Sequence, residues 1–307
     1  MQNSAPLDLP TPLALVCHDA GAANLIFAWM HAHVALAPDV AGDWRLLALG
    51  PAEGLWSARS LPQVRLCRTI DEVLEGAEVL VSGTGWASDI EYDSIRTARR
   101  LGIKSIAVID HWTNYRQRFI RNNIEELPDQ IWVADEYAKR MAESEFADID
   151  VIQKPNLFLE NLVQEIQSYK HEKNRAGGHV LYVLEPIRHA WGEGIVNGEF
   201  QALDFFINNL EMLGLDGDLS IRLRPHPSDP SGKYDQWIDA QKHLKVALDN
   251  SATLVDSIAW SDVVVGCQTY AMVIALAAGK RVFSSIPPWA PPCILPQKGI
   301  ARLSDLV

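Results

Sequence analysis

Short, continuous apolar runs recur along this chain, and most are followed by a turn and then by apolar residues at helical spacing. Unbroken rather than alternating runs mark strands buried on both faces, and such strands belong to parallel sheets covered by helices. Leu13–Cys17 (LALVC) is the first of them. The turn His18-Asp19-Ala20-Gly21-Ala22-Ala23-Asn24 follows, and Leu25, Ile26, Trp29 and Met30 then open a helix. Further strands are expected over 44–49, 64–67, 77–82, 105–110, 130–134 and 150–153, with helices over 89–101, 136–145 and 158–169. A charged, glycine-ended stretch at 170–178 reads as a connection, after which the pattern restarts. Strands are expected at 179–184, 219–223, 244–248, 262–267 and 281–285. Helices are expected at 200–213, at 234–243, at 253–260 with Ser251 as a candidate N-cap, and at 271–278 with Gly279 as its stop.

This pattern predicts an α/β protein of two Rossmann-like domains, residues 1–155 and 156–307, facing each other across a cleft. A chain of 307 residues accommodates two such domains. The turn after the first strand is not GxGxxG, so the dinucleotide fingerprint is absent. Its small residues still let a ligand reach the backbone at a helix N-terminus.

Bulk properties remove several function classes. The formal net charge is −12 with no basic face in the pattern, which argues against a nucleic-acid partner. There is no apolar run of the roughly 18 residues that a membrane span needs. The opening MQNSAPLDLPTP has neither the basic nor the apolar region of a signal peptide, so a cytoplasmic location is expected. Cys17, Cys67, Cys267 and Cys293 stand apart without ligand spacing, so neither a disulfide framework nor a structural zinc is expected.

In an open α/β sheet, ligands bind beyond the carboxyl ends of the strands. The segment 219–229 (LSIRLRPHPSD) ends an alternating strand at Arg224-Pro225-His226-Pro227, where two prolines forbid continuation. A guanidinium and an imidazole on a stiff backbone suit a phosphate, Arg by forking onto two oxygens and His by supplying a directional donor. The alternative is a surface turn whose charges face water. At other expected strand ends lie His18 and Asp19, which can also cap the following helix, and the dense segment from Asp110 and His111 through Asn114 to Arg118. Glu185 follows the first strand of the second half and serves either a ligand or a cap.

Two Rossmann-like halves with Arg-Pro-His-Pro after a middle strand of the second resemble glycosyltransferases of the GT-B fold. The chain is similar to bacterial polysialyltransferase-like and Kdo-transferase-like enzymes, which use cytidine-activated donors, and to teichoic-acid glycerophosphotransferases, which use CDP-glycerol. In those families a later strand-turn-helix rich in Ser or Thr binds the donor phosphate. The matching stretch here is 263–276 (VVVGCQTYAMVIAL), with Gln268-Thr269 where a Ser-Ser or Ser-Thr pair is expected. The likeness in layout covers residues 178–286; the first half shares only the fold pattern.

The resemblance implies transfer of a sialic-acid- or Kdo-like sugar from a CMP-activated donor to a surface-polysaccharide or glycan acceptor, as in capsule synthesis. It implies donor binding by Glu185, Arg224, His226, Gln268 and Thr269, with His226 also on the departing phosphate. Asp19, or else Asp110, is the expected base or nucleophile; His18, Gly21, His111, Asn114 and Arg118 lie on the acceptor side. No DxD pair is present, so no metal and no other obligatory cofactor is expected beyond the nucleotide-sugar co-substrate. The apolar, proline-rich 286–296 reads as a rigid wrap back across the domains, with a wall of the cleft, or peripheral contact with a membrane-bound acceptor at the inner membrane face, as the alternatives. The alternatives are a CDP-glycerol or CDP-ribitol phosphotransferase, a UDP-sugar 2-epimerase-like enzyme, or a non-catalytic nucleotide-binding or scaffold protein of the same fold.

Overall fold

A computed structural model describes residues 9–36, 43–58, 61, 63–169, 178–188, 190–192 and 196–307. The expected connection at 170–178 falls almost wholly outside them. The chain forms two compact units, Met1–Phe158 and Leu159–Val307.

In the first unit β1 (Leu13–Cys17) leads into α1 (Ala20–Leu36), β2 (Trp44–Ala48), α2 (Pro51–Ser57), β3 (Arg65–Leu66) and α3 (Ile70–Leu74). There follow β4 (Val79–Ser82), α4 (Ile90–Leu101), β5 (Lys104–Ile109), a hairpin of β6 (Ile120–Arg121) and β7 (Ile124–Glu125), β8 (Gln130–Val133), α5 (Glu136–Glu145) and β9 (Asp150–Gln153). The main sheet runs β3-β2-β1-β4-β5-β8-β9, all parallel. Every residue of β1 and of β8 is buried; β1 is an unbroken apolar run, and in β8 the polar Gln130 donates to Asp150 and accepts from the Trp132 indole. The core under the sheet is aromatic: Trp29 meets Trp132 edge-on at 5.7 Å and Phe27 meets Trp56 at 5.2 Å.

The boundary between units falls in the first turn of α6 (Leu157–Ser168). The second unit then runs β10 (Gly178–Val183), α7 (Gly198–Asn208), β11 (Leu219–Arg224), α8 (Asp235–Ala240), β12 (Lys245–Leu248) and α9 (Leu254–Trp260). It closes with β13 (Val263–Gly266), α10 (Tyr270–Ala277), β14 (Arg281–Ser284) and β15 (Ile300–Arg302). Its sheet is β12-β11-β10-β13-β14-β15, again parallel throughout. In both units the third, second, first, fourth and fifth strands of the main sheet lie in that order. That is the Rossmann arrangement, whose direction of progress reverses between the first and fourth strands. Tyr182, Leu203, Phe206, Val263 and Val265 form the second core.

Several sequence expectations need correction. The N-cap of α9 is Thr253, in a reciprocal capping box with Asp256, while Ser251 bonds Asp249 instead. The helix expected over 200–213 ends at Asn208 and tightens into a 3-10 turn at Leu210–Leu213 before left-handed Gly214. The helix expected over 234–243 shortens to α8. After the proline-rich segment β15 adds to the second sheet, followed by a 3-10 turn at Leu303–Asp305.

Candidate functional site

The reversal point of the first sheet lies between β1 and β4. Glu91, in the first turn of α4, joins the loops after both strands. Its Oε1 accepts the His18 backbone N–H at 2.8 Å and its Oε2 accepts that of Gly85 at 2.5 Å. Its side chain is 1% exposed. Burial, opposed by the two backbone bonds and aided by the charges of Asp19 and Asp110, pushes its carboxyl up to about 7.

Around this strut sit the sequence-predicted residues of the first half. His18 Nδ1 is 2.7 Å from Asp19 Oδ1, and Asp19 Oδ2 accepts the Trp86 amide at 3.2 Å. Asp19 therefore ties its own loop to the one after β4. Its Oδ2 lies where a side chain on residue 85 would begin, so the close approach depends on Gly85. Asp110, just beyond β5, accepts at Oδ1 from Arg118 Nη1 at 3.1 Å. The same nitrogen reaches the Thr84 carbonyl at 3.2 Å and hydroxyl at 3.1 Å, while Nε donates to the Thr113 carbonyl. Arg118 is 6% exposed and its guanidinium lies 5.8 Å from the Trp86 ring centre. It is the hub that locks the segment after β5 to the loop after β4. Asp110 also packs over Gly21 at the start of α1.

The structure thus gathers His18, Asp19, Gly21, Asp110 and Arg118 at one edge. His111 is near them, with Nδ1 3.2 Å from the Thr113 hydroxyl and its pKa lowered first by burial. Asn114 is different: it is exposed, with φ 58°, and lines a hollow of about 440 Å³ with Thr113, Gln117, Arg140 and Ser144.

In the second unit the reversal point lies between β10 and β13, and a glutamate spans it too. Glu185, after β10, accepts the Gln268 backbone N–H at 3.0 Å, after β13. Burial raises its pKa, against the bonds from Gln268. The Gln268 side chain in turn accepts from the Ile294 amide, and Thr269 caps α10 by accepting from the Ala271 N–H. Glu185, Gln268 and Thr269 therefore share one corner.

Arg224 stands in a network of its own. Its Nη1 bonds Asp249 Oδ2 at 2.7 Å, Ser257 Oγ at 2.8 Å and the Ser251 carbonyl at 3.3 Å. The Asp249 side chain is wholly buried. Burial pushes its carboxyl up, but hydrogen bonds from Ser257, Ser251 and Arg224 outweigh this and hold it below the ordinary range. At that nitrogen the guanidinium anchors β11 to the segment after β12.

His226 is exposed. The Ser228 backbone N–H donates to its Nδ1 at 3.1 Å, and an amide can only donate. A neutral ring therefore carries its proton on Nε2. Asp229, buried behind the turn, accepts from the His226 amide, the Lys233 ammonium and the Tyr234 hydroxyl. Lys233 also pairs with Glu199 at 2.6 Å, so the turn bearing His226 is anchored to α7.

Sequence reasoning passed over Glu91, Thr84 and Asp249. Glu91 had a signal: it shares a buried helix stripe with Ile95 and Ala98, and a carboxylate on such a stripe calls for a reason.

Solved structures supply the comparison at this point. A putative UDP-N-acetylglucosamine 2-epimerase from Listeria monocytogenes matches at TM-score 0.58 and 12% identity, over 88% of this chain and 78% of that one. UDP-GlcNAc 2-epimerase from Methanocaldococcus jannaschii matches at 0.56 and 13%, over 89% and 83%. UDP-GlcNAc 2-epimerase from Neisseria meningitidis, solved with UDP-GlcNAc, matches at 0.55 and 11%, over 89% and 81%. The fold is GT-B. No protein-family model and no curated protein matches the sequence. At these identities the GT-B likeness is one of fold. Among the described residues no helix is long and apolar enough to cross a membrane.

Proposed function

We propose that this GT-B protein is a nucleotide-sugar-dependent glycosyltransferase, with the nucleotide on the second unit and proton transfer on the first. The observation that carries the reading is the grouping of Asp19, Asp110 and Glu91 at one sheet edge, with Glu91 near neutrality. Carboxylates held close in unlike environments are how a site keeps a proton acceptor and a proton carrier at the same pH. With Arg118 already bound to Asp110, this edge is acidic, which suits a hydroxyl-bearing acceptor better than a phosphate.

In this scheme an acceptor hydroxyl oxygen attacks the anomeric carbon of the donor, and the bond from that carbon to the phosphate oxygen breaks. The electron pair leaves with the nucleotide. The hydroxyl proton passes to Asp19, which His18 supports, with Asp110 as the second candidate. His226 offers its Nε2–H to the departing phosphate, where negative charge grows in the transition state. Gln268 and Thr269, at the head of α10, and Glu185 form the corner for the rest of the nucleotide. The donor is proposed to be CMP-activated, as the layout of 178–286 suggests, and the acceptor a glycan.

Interconversion of UDP-sugar epimers is the second reading, suggested by the activities named for the proteins that share the fold. One experiment separates the two. The protein is incubated with CMP-sialic acid, CMP-Kdo, UDP-GlcNAc and CDP-glycerol, with and without glycan acceptors, and the products are read by mass spectrometry and chromatography. Acceptor-dependent release of CMP supports the proposal. Conversion of UDP-GlcNAc to its 2-epimer replaces it with the second reading, glycerol-phosphate transfer from CDP-glycerol replaces it with a phosphotransferase, and inertness toward all four donors refutes it.

A further inference from the structure

We propose that Glu91 is a positioning residue: its carboxylate bridges the two loops that flank the reversal point of the first sheet and so sets Asp19 opposite Asp110. The role in turnover rests on the transferase reading above; the bridge itself does not.

The geometry is specific. Both carboxylate oxygens are used, each by a backbone N–H from a different loop. His18 precedes Asp19, and Gly85 precedes Trp86, whose amide binds Asp19. Glu91 therefore grips the chain one residue before each partner of the Asp19–Trp86 bond. Moving either loop would move the Asp19 carboxylate, which lies packed over Gly85. No shorter side chain at position 91 spans both amides, and no neutral isostere accepts from both: glutamine has one acceptor oxygen, and its amide group would face an N–H as a donor against a donor.

The site also loads this strut with charge. Facing Glu91 are Cys17 at the end of β1, His18 and Asp19 in the following loop, and Asp110 beyond β5 with its Arg118 partner. Its place in the first turn of α4 favours an anion, whereas burial and the two neighbouring aspartates disfavour one. Burial and the aspartates win, so the bridge changes protonation near pH 7. Gain or loss of that proton reaches both loops at once.

The test uses the full chain, labelled with nitrogen-15. Backbone amide resonances of His18 and Gly85 are followed from pH 5.5 to 8.5. Both are expected to titrate with one common midpoint near 7, and Glu91→Gln is expected to abolish that shared step. Glu91→Asp keeps the charge but is one methylene short, so the step should survive at no more than one of the two amides. A step at the Gly85 amide that persists in Glu91→Gln overturns the bridge; the His18 amide is read only as the difference between the two proteins, because that residue carries an imidazole of its own. If Glu91→Gln does not fold, the wild-type titration and Glu91→Asp still decide it. On whichever nucleotide-sugar supports turnover, Glu91→Gln should lower kcat about tenfold to a hundredfold, the scale of a misplaced catalytic group, with KM within a few-fold. A rise in KM alone would instead make Glu91 a substrate-binding group and refute the positioning role. Should all donors prove inert, the transferase reading fails, and the amide titration still decides the bridge.

Discussion

The carboxylate of Asp110 occupies the space that a β-carbon on residue 21 would need. Gly21 is the second residue of α1, where alanine would ordinarily favour the helix by about 0.5–1 kcal/mol. Overpacking against a held side chain costs about 1–3 kcal/mol, so the clash should win. Asp110 cannot retreat freely because Arg118 holds its other oxygen. Gly21→Ala is therefore expected to lower stability in urea denaturation despite the better helix former. In a double-mutant cycle with Asp110→Ala, the two changes should couple by about 0.5–3 kcal/mol. A coupling near zero would mean that α1 yields without cost and that glycine is dispensable there.

Glu91 ties stability to pH. Its carboxyl is about 7 in the folded protein against an ordinary 4.5, so the folded state binds the proton more tightly than the unfolded chain. Stability from this group is complete below pH 4.5 and is lost as pH rises towards and through 7. At about 1.4 kcal/mol per pH unit, the full effect is about 3 kcal/mol. Other groups titrate in this window, so the prediction concerns the difference between two proteins. Wild type should lose stability relative to Glu91→Gln between pH 5 and 7, measured by denaturant titration at each pH. Parallel curves would show that Glu91 is not titrating there.

Arg224 and Asp249 make a stability prediction that distinguishes an anchor from a ligand-binding group. The Asp249 side chain is fully buried and that of Arg224 is about a quarter exposed, so removing the guanidinium leaves a buried carboxylate with Ser251, Ser257 and the longer Arg222 ion pair at 3.8 Å. Arg224→Ala should cost about 1–3 kcal/mol. Asp249→Ala should cost about 3–5 kcal/mol, because Arg224, Ser251 and Ser257 lose their shared acceptor, Arg222 loses its ion pair, and the Arg224 cation is left partly desolvated. If Arg224 served only a phosphate, Arg224→Ala would unfold with the wild-type midpoint. Thermal and urea denaturation of the two variants without ligand is the deciding measurement.

These relationships were unevenly legible in the sequence. Strands such as Leu13–Cys17 and Val263–Gly266 announced themselves because burial on both faces demands unbroken apolar residues. The ends of those strands then pointed to Asp19, Asp110 and Glu185. The β6–β7 hairpin escaped notice although Asn122 and Asn123, at φ 49° and 61°, carry the side chains that such a turn favours. β15 escaped because a three-residue edge strand has no periodicity to detect. Glu91 was hidden for a different reason: it sits on a helix, and only tertiary packing brings that helix beneath two strand ends. Arg224 was placed at the right strand end, but its engagement depends on Asp249, 25 residues away and silent in the local pattern.

His226 is the strictest test of the proposed chemistry, because it can be removed at little cost to the fold. Its ring is exposed, and the turn that carries it is anchored by Asp229, Lys233 and Tyr234 through the backbone and through one another. Stability of His226→Ala should stay within about 0.5 kcal/mol of wild type, as for other exposed positions. The lost Nε2–H is a directed donor for the charge growing on the departing phosphate, and deleting one such donor typically costs roughly a hundredfold or more in kcat. Steady-state kinetics on the productive nucleotide-sugar reads the effect directly. If the donor acts mainly in the transition state, kcat falls and KM barely moves. A raised KM with kcat intact would assign His226 to ground-state binding of the nucleotide, and an unchanged rate would remove it from the reaction altogether.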